Sequence, residues 1–249
     1  MRQDVCSNAQ PIPILVYHQI EIAPPKGAAF RSLYVSPQAF ARQMRMLAWL
    51  GYQGLSMTAL LPYLRGEKIG KVVGITFDDG YLNNLTHALP VLQRHGFSST
   101  CYCVSQRLGQ TNAWDAAQGI AQTALMDAAQ LRQWVAGGQE VGAHTRHHVN
   151  LSVCTSAVAE EEISLSKTEL SALIPQAVEH FCYPYGQYQP EHLQMARQAG
   201  FQTVTTTQRS RVCRGADLWQ LPRVPVLRST TLPLFWLKLA TRYEDRRSV

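Results

Sequence analysis

The sequence predicts an α/β fold, a parallel β/α barrel made by one domain over residues 1–249 and irregular in strand number. Three observations carry this. Short apolar runs alternate with amphipathic helical stretches, and the connections are short, without linker, repeat or low-complexity tract. Four of the runs end in polar groups, at His18, Asp78-Asp79, His144 and Pro184-Tyr185-Gly186. In a parallel barrel the C-terminal ends of all strands open on one face, so these groups are expected to converge there. A length of 249 residues with 46% hydrophobic content is enough to bury such a core.

The elements follow in order. After a polar leader, residues 12–17 (IPILVY) read as a strand buried on both faces, ending at His18. Ser36-Pro37 then gives an N-cap with proline at the first helical position; Phe40, Met44 and Leu47 recur at helical spacing until Gly51. Residues 72–77 (VVGITF) form a second strand running into Asp78-Asp79-Gly80, and a helical stretch broken by Pro90 follows to Gly96. Residues 97–104 read as a strand. Asp127 and Gln130 form a capping box for a helix that stops at Gly137-Gly138. Residues 140–143 lead to His144, 156–173 are helical, 178–183 form a strand, 191–199 a helix, and 201–207 a last strand.

Lys and Arg number 23 against 17 Asp and Glu, giving a net charge of +6. The excess is spread along the chain up to Arg242, Arg246 and Arg247, without the aromatic-interleaved clusters of nucleic-acid binding, so nucleic acid is excluded as a partner. The six cysteines form no CxxC pair and read as free core thiols in a reducing compartment. The first residues lack the apolar stretch of a signal peptide, and the most apolar later run, LPLFWLKLA, is short and carries Lys238. The expectation is a cytoplasmic protein.

Two adjacent carboxylates at a strand end diverge, so one can hold a cation while the other faces a water beside it; Gly80 lets the chain turn there. His144 and His148 are spaced to share one side of a helical turn and reach one cation. With a strand-end aspartate they form a His-His-Asp set with positions left for water and substrate, which describes a catalytic metal. Zn is the first choice, while Co, Ni or Fe tolerate the same ligands. A ferrous oxygenase is disfavoured because it has no use for a doubled aspartate.

Together these segments resemble the NodB-type polysaccharide deacetylases, the carbohydrate esterases of family four. Thr76-Phe77-Asp78-Asp79-Gly80 is similar to their first motif, in which the first aspartate is the general base and the second a metal ligand. His144-Thr145-x-x-His148-x-x-Leu151 resembles the second, which supplies two histidine ligands, with His147 outside the pattern; Phe181-x-Tyr183-Pro184-Tyr185-Gly186 resembles the third, whose amide at the Tyr185 position helps to hold the oxyanion. The likeness runs from about Pro13 to about Val226, takes in Phe40, Leu47 and Gly51-Tyr52, and implies a distorted (β/α) barrel. It implies Asp78 as base, Asp79, His144 and His148 as metal ligands, and a substrate-binding strip at Pro184, Tyr185 and Gly186.

The sequence departs from that pattern in three places. Glu179 stands where many members carry an arginine, so Asp78 needs another orienting group, for which Arg223 is the candidate. Asp217 and Trp219 occupy the place of the fourth motif, with Trp219 a candidate for substrate contact or ordinary packing. No Leu-x-His follows His192, so the proton for the leaving nitrogen falls to His18, whose Tyr17-His18 setting resembles the N-terminal motif of the branch acting on poly-N-acetylglucosamine. The implied activity is removal of the N-acetyl group from an N-acetylglucosamine-type residue of a glycan or glycolipid, a lipopolysaccharide or exopolysaccharide intermediate. An O-acetyl esterase on the same fold is the alternative, and a glycan-binding pseudoenzyme ranks below both because base and ligands are all present. The segment from Leu232, LPLFWLKLATRYEDRR, is expected to touch an anionic inner leaflet.

Overall fold

A computed structural model describes residues 10–247 of the chain; the polar leader over residues 1–9 lies outside the described residues. The strands are β1 (Ile14–Tyr17), β2 (Gln19–Ile20), β3 (Tyr34–Val35), β4 (Gln53–Leu55), β5 (Val72–Phe77), β6 (Thr100–Cys103), β7 (Glu140–Ala143), β8 (His180–Cys182), β9 (Thr203–Arg209) and β10 (Leu221–Pro225). The helices are α1 (Pro37–Trp49), α2 (Met57–Leu64), α3 (Leu89–His95), α4 (Ala128–Ala136), α5 (Ser156–Ser171), α6 (Pro190–Gln198) and α7 (Leu232–Ala240).

All pairings of the main sheet are parallel, in the order β1-β10-β9-β8-β7-β6-β5-β4, and β1 also pairs with β5 from Ile14↔Gly74 to Tyr17↔Phe77. That extra pairing closes seven strands into a barrel and leaves β4 beside the first half of β5. A separate ribbon, β2 with β3, extends from the rim after β1. The distorted barrel is therefore the observed fold.

The helix starts follow the capping chemistry in the sequence. Ser36 accepts from the Ala39 amide with Pro37 at the first position, and Asp127 and Gln130 complete their reciprocal box. Pro90 does not break its helix: it falls in the first turn of α3, entered through a π-helical turn at Asn84–Ala88. The barrel interior is filled by Ile14, Tyr102, Cys182 and Leu221. A Cβ on Gly142 would lie 2.5 Å from the Tyr102 ring, so only glycine makes room for that ring. α2 closes the N-terminal end: Met57 N–H donates to Thr100, and Thr58 meets Glu140 and His180 at the first residues of β7 and β8.

One expectation needs correction. Cys101, Cys103, Cys154 and Cys182 are free, but Cys213 is disulfide-bonded. It follows Val212, which makes a two-hydrogen-bond antiparallel bridge with Ile12 and so brings the Cys213 loop against the start of the chain. On α7, Lys238 is turned inward. It is buried, donating to the Pro225 carbonyl at 2.8 Å and paired with Glu244, which leaves Trp236 and Leu237 as the exposed apolar residues of α7. Among the described residues no helix is long and apolar enough to cross a membrane.

Candidate active site at the C-terminal end of the barrel

Asp78 follows β5 directly, and its amide donates to the Tyr17 carbonyl at 3.0 Å, which ties it to the seam where β1 closes the barrel. Its two carboxylate oxygens accept a fork from Arg223 of β10, Nη1 to Oδ1 and Nη2 to Oδ2, both 2.7 Å. Arg223 is itself fully buried, with Nε donating to the Thr206 carbonyl and Nη1 also to Thr76 Oγ1. Burial pushes the Asp78 carboxyl up, but the Arg223 charge and hydrogen bonds outweigh it and hold the carboxyl below its ordinary range. Arg223 is therefore the orienting group that Glu179 cannot supply.

Asp79 turns away from its neighbour because its backbone is left-handed, φ 75°. Its Oδ1 lies 3.2 Å from His148 Nε2 and 3.6 Å from His144 Nε2. Burial raises its carboxyl too, yet hydrogen bonding and charge from His148 leave it well below the usual carboxylate range. His144 follows β7 and points Nδ1 at the Cys182 carbonyl, 2.7 Å away. Donation there fixes the tautomer and leaves Nε2 as a free lone pair toward Asp79.

His148 reaches the same point, but by no helical turn. Residues 144–150 are irregular, with Thr145 and His148 both left-handed at φ 62° and 61°, and the His148 amide donates to Thr145 Oγ1. Glu162 of α5 accepts from the Arg146 and His147 amides and pairs with the His147 ring, holding the loop from below. The two imidazoles converge as the spacing suggests, but through an irregular loop rather than a helical turn. Left-handed non-glycine residues are costly, and here they cluster on Asp79, Thr145, His148 and Tyr185.

The donor atoms of Asp79, His144 and His148 all lie within 4.8 Å of one another and all three residues are buried, which fits a divalent cation. A second set, Asp78, His144 and Cys182, is equally close. It fits less well: both Asp78 oxygens are engaged by Arg223, and burial pushes the Cys182 thiol up, away from the thiolate a cation needs.

His18 is a quarter exposed at the rim, its Nε2 3.9 Å from Asp78 Oδ2. Pro184, Tyr185 and Gly186 form the turn after β8, with Tyr185 and Gly186 left-handed at φ 59° and 66°. A Cβ on Gly186 would lie 1.8 Å from Thr207 Oγ1 and 2.7 Å from the Thr207 amide nitrogen. Gly186→Ala is expected to displace this turn and destabilise the protein by roughly 1–3 kcal/mol, read as a lower urea midpoint at unchanged slope.

Beside the motif residues, Trp114, Asp115 and Cys182 contribute. Trp114 stacks on His148 at 4.5 Å; the Tyr185 hydroxyl meets His148 Nδ1 at 3.2 Å and donates to Asp115 Oδ1 at 3.5 Å; Cys182 supplies its carbonyl to His144. Trp114 and Asp115 sit on the long connection between β6 and α4, and nothing in their spacing points at His148. Cys182 had a signal: as the last residue of β8 its carbonyl faces the end of β7. Trp219 is not brought to the site. It precedes β10, at that strand's N-terminal end, under the Arg197 guanidinium 4.3 Å from its ring.

Similarity to known proteins agrees with this geometry. The polysaccharide deacetylase family profile matches residues 65–204. A Bacillus subtilis (strain 168) protein named as a candidate polysaccharide deacetylase, YxkH, is 29% identical over 217 residues, 86% of this chain and 71% of that one. The poly-β-1,6-N-acetyl-D-glucosamine N-deacetylase of Staphylococcus epidermidis is 24% identical over 199 residues, 77% and 68% of the two chains. Among solved structures, the Streptococcus pyogenes deacetylase PplD in complex with acetate superposes with a TM-score of 0.80 at 25% identity over 93% of this chain and 99% of that one. IcaB from Ammonifex degensii shares the fold, with a TM-score of 0.77 at 24% identity over 92% and 97%.

Proposed function

The chain belongs to the polysaccharide deacetylase family, and from that premise we propose that it is a metal-dependent hydrolase removing the N-acetyl group from an N-acetylglucosamine-type residue of a glycan or glycolipid. The observation that carries the reading is the division of labour between the two aspartates: Asp78 is forked by Arg223, while Asp79 faces His144 and His148. A divalent cation, Zn first, held by Asp79, His144 and His148, would polarise the acetyl oxygen and lower the pKa of water beside it.

The chain's own groups do the rest. Asp78, kept ionised by Arg223, accepts the proton of the attacking water, the Tyr185 amide shares the developing oxyanion, and His18 protonates the leaving nitrogen. Trp114, stacked on His148, and the Tyr185–Asp115 contact hold His148 in place.

The test is acetate release from N-acetylglucosamine oligomers against an O-acetylated sugar, in wild type and His18→Ala. Loss of the proton donor should slow amide hydrolysis on the order of 10²-fold at unchanged metal content, and an activated ester by much less, because its leaving group scarcely needs a proton. Release from O-acetyl sugars alone would make the enzyme an esterase, and equal losses on both substrates would make His18 structural.

The proposed setting is a membrane-associated glycan intermediate of lipopolysaccharide or exopolysaccharide type. Trp49, Trp236 and Leu237 are exposed, and Arg42 and Arg45 accompany Trp49 on α1, which suits an anionic leaflet. The disulfide at Cys213 supports an oxidising compartment rather than the cytoplasm expected from free thiols.

A further inference from the structure

A concavity of about 390 Å³ lies between the β2–β3 ribbon, the start of α1 and the β10–α7 connection. Its charged lining is Arg31, Arg42 and Arg228, with no acidic residue in the wall. Among the described residues none of these three is ion-paired with a carboxylate, whereas Arg146, Arg209, Arg211 and Arg223 each are. Arg31 Nε donates to the Pro24 carbonyl at 2.6 Å, and the Arg228 main-chain amide donates to the Ser32 carbonyl at 2.9 Å, so the Arg31 side chain and the Arg228 backbone are tied to the β2–β3 connection.

The same wall contains Ser36 and Thr231, the N-caps of α1 and α7, so the positive ends of a 13-residue and a 9-residue helix open into it. Three arginines and two helix N-termini border this space, Arg31 half-buried and Arg42 and Arg228 exposed, with no carboxylate among them to balance the charge. A phosphoryl group, with oxygens on several sides, suits forks arriving from three elements better than a planar carboxylate does.

The position relative to the active site is fixed. The chain runs from His18 through β2 to Ile22 and Ala23 in the wall, and from Arg223 along β10 to Arg228. Gln43 of α1 accepts from the Tyr17 hydroxyl at 3.0 Å and donates to the Thr230 carbonyl at 3.4 Å, which ties the wall to the side chain of β1's last residue.

We propose that this pocket is a subsite for a phosphoryl group carried by the glycan, beside the sugar that loses its acetyl group. The inference rests on the deacetylase reading for the word substrate, but not for binding. Isothermal titration of the metal-loaded protein with inorganic pyrophosphate should show a single site, weakened about 10-fold or more by Arg42→Gln or Arg228→Gln and unchanged in Asp78→Asn. Retained binding in Asp79→Ala separates this pocket from the metal site, and loss of binding there overturns the proposal. With substrates, the two arginine variants should raise KM for a phosphorylated N-acetylglucosamine oligomer by a similar factor and leave kcat/KM for the neutral oligomer unchanged. Equal changes on both oligomers, or wild-type pyrophosphate affinity in both variants, would overturn the subsite. So would arginine-dependent binding to phosphatidylglycerol vesicles without pyrophosphate binding, which makes the patch a membrane contact. If neither oligomer releases acetate but pyrophosphate binds as described, the deacetylase reading fails and the anion site stands.

Discussion

Asp79→Ala should emerge from purification without its divalent metal and with turnover reduced by at least about 10³-fold, the equivalent of the several kcal/mol such an ion supplies. The expectation follows from where Asp79 sits: Oδ1 is the one carboxylate oxygen near both His148 Nε2 and His144 Nε2. Two neutral imidazoles without the carboxylate form a weak site. His144→Ala and His148→Ala should behave alike, and chelator treatment of the wild type should reproduce the loss, with Zn restoring activity. Asp78→Asn is the counterpart, with full metal content and almost no turnover. Metal analysis beside acetate release decides it; retention of metal by all three ligand variants would sink the assignment.

The second large effect belongs to Arg223→Met. In the wild type Asp78 is lowered, so its ionisation adds stability above the ordinary carboxylate pKa of about 3.9 that is lost as pH falls through the lower folded value. Removing Arg223 leaves burial as the main influence and reverses the sign. The folded pKa rises above the unfolded one, so the contribution of Asp78 in the variant is best in acid and is lost as pH climbs through the carboxylate range.

Breaking a buried pair by deleting one partner costs about 3–5 kcal/mol at neutral pH. Urea unfolding across pH 4–7 should therefore show a gap from wild type that widens with pH. The acid limb of the kcat/KM profile should move to higher pH in the same variant. Arg223→Lys should recover little, because a point charge cannot occupy both oxygens of Asp78 at once. An unmoved acid limb would show that Asp78 is not the base.

How far the sequence reaches can be judged residue by residue. Strand ends are legible because the polar residue that ends an apolar run also lies on the open rim, so Asp78, Asp79, His144 and the turn at Pro184 were found without geometry. Helix starts are legible because capping is local, as at Ser36-Pro37 and Asp127 with Gln130. Arg223 could be named but not placed, since its partner is Asp78, 145 residues earlier. Trp114 and Asp115 were invisible because a long connection is positioned by tertiary contacts. Trp219 had the right order in the chain and the wrong end of the strand. The histidine pair was legible as a pair, while its irregular turn depends on Glu162, whose place on α5 no local pattern announces.

β1 sits between β5 and β10 and completes the barrel. Asp78 is therefore gripped by a residue from the last barrel strand and flanked by a residue from the first. During synthesis the first strand must wait, unpaired on its β10 side, until the more than 200 residues up to β10 have left the ribosome. Asp78 is oriented only when that last pairing forms, so partly made chains carry both aspartates and both histidines without the Asp78–Arg223 fork. On the proposed function, catalytic competence is a property of ring closure rather than of any one strand.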